Sequence, residues 1–96
     1  MSERSPETTL DDIGPQPGYV GAFTRNQYPS AIPNGTRIVK VKVDRAGDVH
    51  PIGSKGVVLG STGHPSLNDI GYFIEWDDSP RLATLVVGWK IAREVS

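Results

Sequence analysis

Ninety-six residues, a net charge of −1 and no cysteine fit one small domain; they exclude disulfides, thiolate metal centres and the basic excess of a general nucleic-acid binder. No stretch approaches the ~20 apolar residues of a membrane-spanning helix. The polar start, Met1 to Glu7, lacks the apolar core of a signal peptide, so the expected location is cytoplasmic.

The first third of the chain reads as an arm. Residues 1–12 hold Glu3, Glu7, Asp11 and Asp12 against Arg4, a local −3, and five of the eight prolines (Pro6, Pro15, Pro17, Pro29 and Pro33) precede Gly35. Proline fixes its own φ and restricts its neighbour, which excludes a long helix or a central strand here. Residues 1–17 are expected to form a disordered tail and 18–34 an irregular arm packed on the domain that fills 35–96. Tyr19, Phe23 and Tyr28 argue for that packing, because freely solvated tails are poor in aromatics. Asn34-Gly35-Thr36 fits a glycosylation sequon and equally a turn; without a secretion signal the turn is the better account.

From Thr36 the pattern becomes strand-like. Val39, Val41 and Val43 alternate with Lys40 and Lys42, which predicts a first strand over Thr36–Val43 with the valines inward and both lysines in solvent. Asp44 to Asp48 breaks it. A loop through His50-Pro51 leads to a second strand, Lys55–Ser61, in which Gly56 permits a bend or the close approach of another backbone. Ser61 to Asp69 is loop-like. The third strand, Ile70–Trp76, sets Tyr72, Ile74 and Trp76 on one face and Phe73 and Glu75 on the other. Asp77 to Pro80 is a turn, Leu82–Val87 a fourth strand apolar on both faces, and Lys90–Val95 a short fifth. Five short strands with frequent turns and no amphipathic helix predict an all-β domain, a small antiparallel barrel.

Three segments carry a family likeness. Gly35-Thr36-Arg37-Ile38-Val39, Pro51 to Val58 and Tyr72-Phe73-Ile74-Glu75-Trp76-Asp77, followed by Ile91, resemble the SH3-like small barrels. The nearest in flavour are KOW-type modules and the barrel-shaped accessory subunits of redox and photosynthetic complexes. The resemblance spans about two thirds of the chain and implies an SH3-like barrel that binds a larger partner. Unlike the signalling SH3 domains, the loop Asp44–Pro51 has no aromatic residue, so a groove for proline-rich peptides is not expected.

The chemistry-bearing residues offer no catalytic constellation. Gly60-Ser61-Thr62-Gly63 has neither nucleophile-elbow nor phosphate-loop spacing. Glu75, Asp77 and Asp78 crowd a strand end, where solvation fits better than acid–base work. His50 and His64 with Asp48, Asp69 or Glu75 could offer mixed metal ligands, yet no pair has metal-site spacing and both histidines are expected to be exposed. No cofactor is implied. The leading expectation is therefore a non-catalytic module that binds another protein through Tyr19, Phe23, Tyr28, His64 and Phe73. The alternative is a KOW-like nucleic-acid or ribosome contact through Arg37, Lys40, Lys42, Arg45 and Lys55, and a third is a small metal-binding protein.

Overall fold

A computed structural model describes residues 13–43, 49–63 and 69–95, and these hold seven β-strands, one 3-10 turn and no α-helix. The chain is all-β. Two strands form a small antiparallel ribbon, β1 (Gly14–Pro15) with β2 (Ala22–Phe23). The other five make one antiparallel sheet: β3 (Arg37–Lys40), β4 (Lys55–Gly63), β5 (Ile70–Trp76), β6 (Ala83–Val87) and β7 (Ile91–Arg93). Their order is β6-β5-β4-β3-β7, and the 3-10 turn Gly88–Lys90 carries the chain from one edge strand to the other. The two edges are not hydrogen-bonded to each other, so the sheet is open. Among the described residues, no helix is long and apolar enough to cross a membrane.

The first strand of this sheet runs in the phase opposite to the one its valines suggest. Ile38 and Lys40 are buried, whereas Val41 and Val43 are exposed beyond the strand's end. The reason lies across the ladder. Ile38 pairs with Gly56, and Gly56 pairs with Trp76, so one row runs Ile38, Gly56, Trp76. A Cβ on Gly56 would sit 2.7 Å from the Glu75 carbonyl oxygen and 2.9 Å from Ile74 Cγ2, so glycine is what lets β4 lie this close to β5 in that row. After Lys40 the chain leaves the ladder, and the Val41 and Lys42 amides both donate to the Lys90 carbonyl.

Both faces of the sheet are covered. The inner cluster takes Ile38, Val58, Tyr72, Ile74, Trp76, Val86 and Ile91, at least one residue from each strand of β3 to β7. The outer cluster joins Leu59 and Phe73 to Phe23 of the arm, flanked by Ile13 and Tyr19. A β-bulge lies between Val58 and Gly60, and across it Val58 turns to the inner cluster and Leu59 to the outer.

The described arm begins before Gly18, with Ile13 already packed on the sheet. It lies on the outer face as far as Phe23 and then crosses the free margin of the second half of β4. There the Ser61 amide donates to the Asn26 carbonyl at 2.9 Å, and the Thr24 carbonyl presses on Gly60 where no Cβ could fit. Tyr28, Ala31 and Ile32 continue onto the inner cluster, and the Tyr72 hydroxyl accepts the Ile32 amide at 2.9 Å.

Candidate functional site

The aromatic residues expected to anchor a partner are mostly structural. Phe23 has no exposed surface and Phe73 only 5%, and their rings stand 6.0 Å apart in the outer cluster. Tyr19 packs edge-on against Phe23, and its hydroxyl donates to Glu75 Oε1 at 3.0 Å. Tyr28 rests on the inner cluster, its amide donating to Ser61 Oγ. His64 lies outside the described residues. Alternation along the third strand implied one solvated face; the arm covers that face and turns Phe73 into core.

The basic set is likewise divided. Arg37 grips Asp77 with two guanidinium nitrogens, at 2.9 and 2.6 Å, and reaches Glu94, which also accepts from Lys55 Nζ at 2.9 Å. The hydrogen bond from Arg37 holds the Asp77 carboxyl below its ordinary range, and that from Lys55 does the same for Glu94. Reciprocally, the hydrogen bond to Asp77 raises Arg37. Lys42 is exposed and Arg45 lies outside the described residues. Lys40 points the other way. It is 2% exposed, donates from Nζ to the His50 carbonyl at 2.9 Å, and sets that nitrogen 5.6 Å from the centre of the Trp76 ring. Lys40 and Lys42 therefore do not project together into solvent.

A cleft of about 410 Å³ opens between β6, the His50 loop and the 3-10 turn. Its floor is a stack in which the His50 imidazole lies on the Trp76 indole, centroids 4.7 Å apart and planes 21° apart. Lys40 lies to one side of the stack, and Leu82, Thr84, Leu85, Val86 and Val87 form one wall. Consecutive β6 residues alternate between the sheet's faces, so a wall made of four in a row means that the cleft runs along the free edge of the strand. His50 is buried, contrary to its expected exposure, and is oriented by Nε2, 3.1 Å from Asp78 Oδ1. Among the described residues, the buried Trp76 indole Nε1–H has no acceptor. Such an orphaned donor costs about 1–3 kcal/mol. Compared with family models, curated proteins and solved structures, the chain matches none of them.

The cleft's polar groups are arranged to hold shape. Asp78 Oδ1 accepts from Ser79 Oγ at 3.1 Å as well as meeting His50, so the carboxylate stands between hydroxyl and imidazole. A nucleophilic triad needs the imidazole in the middle. Among the described residues, no three of the His, Asp and Glu side chains gather as metal ligands.

The residues that sequence reasoning missed are those of the β6 edge and the cleft. β6 has five residues, Ala-Thr-Leu-Val-Val, with no charge and no proline, and among the described residues its backbone makes no hydrogen bond outside the β5 ladder. Proteins ordinarily guard edge strands with lysine, proline, bulges or short length. The opposite edge, β7, is guarded in this way: it is three residues long, ends in Arg93 and is followed by Glu94. Around β6, Leu82, Leu85, Val49 and Trp89 are each more than two-fifths exposed. The available signal was the uncharged composition of 82–87, apolar but for Thr84; its edge position was not visible, because strand order cannot be read from strand content.

Proposed function

We propose that this chain is a non-catalytic interaction module of SH3-like barrel type, which works by receiving an extended segment of another polypeptide along β6. The observation that carries the reading is the unguarded β6 edge, whose outward backbone groups are unbonded among the described residues, beside a cleft that the strand itself walls. Strand addition draws affinity from main-chain hydrogen bonds and specificity from alternate side chains. The exposed Leu82, Leu85 and Val49 add apolar area that association would remove from water.

The barrel assignment is supported by the strand order, by the 3-10 turn between the last two strands, and by an inner cluster shared by all five strands of the sheet. The basic residues favour no nucleic-acid reading, since Arg37 and Lys55 are tied to Asp77 and Glu94 and Lys40 is turned inward.

A titration of the isotope-labelled protein with a short peptide of alternating valine and threonine tests the reading. The expected outcome is movement of the amide signals of 83–87 and of the Trp76 indole N–H, with no response to the same peptide carrying proline at alternate positions. Signals that move elsewhere, that stay still at about 1 mM peptide, or that respond equally to the proline version contradict it.

A further inference from the structure

We propose that the strand received at β6 is the β6 of a second copy of this chain, paired antiparallel about a two-fold axis at Leu85. The inference rests on the reading of β6 as an accepting edge and names its occupant.

Self-pairing about Leu85 sets Leu85 opposite its own counterpart, Thr84 opposite Val86, and Ala83 opposite Val87. Every cross-strand pair is then apolar or β-branched, the composition that stabilises adjacent strands. Leu85 stands across from Phe73 in the β5 ladder and is 44% exposed, so the central contact would cover a leucine that the monomer leaves wet.

The charges flanking the strand choose the direction. Asp78, whose side chain is 68% exposed, lies before its entry, and Lys90, which lines the cleft beside the strand, lies beyond its exit. Antiparallel pairing brings the acidic entry of each copy beside the basic exit of the other, twice by symmetry; parallel pairing would set like beside like. Among the described residues, the arm bonds this edge at the strand's entry, where Val20 bridges Leu82 and donates to the Arg81 carbonyl; Ala83 packs against the outer cluster, and the backbone of 83–87 takes no hydrogen bond from the arm. Five paired residues with these flanking side chains fall near or under the ~1,200 Å² lower bound of stable interfaces, so the dimer is a weak one.

Sedimentation equilibrium of the wild-type protein and of Leu85→Lys and Leu85→Glu, alone and mixed, tests this over about 1 μM to about 1 mM. The wild type is expected to rise with concentration from 10.4 kDa toward twice that mass. Each variant alone is expected to stay monomeric, and the equimolar mixture to regain the doubled mass, because only pairing centred on this residue sets lysine against glutamate. Dispersed amide spectra confirm that both variants are folded, and if either is not, Leu85→Thr in both copies, expected to weaken the dimer at least several-fold, replaces them. A wild type that stays at monomer mass, variants that still dimerise alone, or a mixture that does not re-form the dimer each overturn the proposal. A monomeric wild type whose β6 amides still respond to the valine–threonine peptide overturns self-pairing alone; a protein that shows neither behaviour loses the edge reading as well.

Discussion

Ile38 and Val43 make the sharpest contrast among single residues, because the valine-rich alternation favours one and the folded chain buries the other. Ile38→Ala is expected to cost about 2–5 kcal/mol, as a buried large-to-small change does. Val43→Ala, 42% exposed in the native protein, should stay within about 0.5 kcal/mol. Urea unfolding of the two variants measures this directly, and a reversal of their ranking would contradict the assigned phase. The Arg37–Asp77 and Lys55–Glu94 pairs give a second residue-level expectation. Both carboxyls are lowered by folding, so their stabilisation is complete above the ordinary carboxylate range and is lost as pH falls through the lower folded values. Unfolding free energy should therefore decline below about pH 4, and Asp77→Asn with Glu94→Gln should flatten that decline. An unchanged slope in the double variant would show that other groups carry it.

At the level of elements, the arm acts as part of the core. Phe23 has no exposed surface and completes the outer cluster over Leu59 and Phe73, so Phe23→Ala is expected to cost about 3–5 kcal/mol in thermal or urea unfolding. A cost under about 1 kcal/mol would mean that the arm is only loosely attached. Gly60→Val should act through the same contact, because a side chain there meets the Thr24 carbonyl; its expected signature is loss of the Ser61 amide's protection from exchange while the β5 amides stay protected. The elements also show what could be read in advance. Ile70–Trp76 and the Tyr72, Ile74, Trp76 face were legible, since an alternation of large side chains has one natural phase. The strand at Arg37–Lys40 was not, because Ile38 and the three valines occupy opposite phases, and the Ile38–Gly56–Trp76 row that decides between them spans three strands. The outer burial of Phe73 was hidden for a related reason: its cover arrives from an arm some fifty residues earlier in the sequence.

For the whole molecule, the all-β class followed from turn spacing and the lack of helical periodicity, whereas the candidate site did not follow from any motif. Its cleft exists because β6 ends up at an edge, and its floor exists because His50 folds onto Trp76; both are products of strand order and loop packing. The description that results is a small two-sided β domain with one guarded edge and one unguarded edge, the second lined by apolar residues and proposed to receive a strand. Residue-resolved amide exchange across Ala83–Val87, recorded in dilute solution, tests that proposal most directly. It predicts alternation: amides that point to β5 exchange slowly, and those between them exchange at the rate of open backbone. Uniform protection along the strand in dilute solution would show that the edge is already covered within the monomer, and would contradict the account.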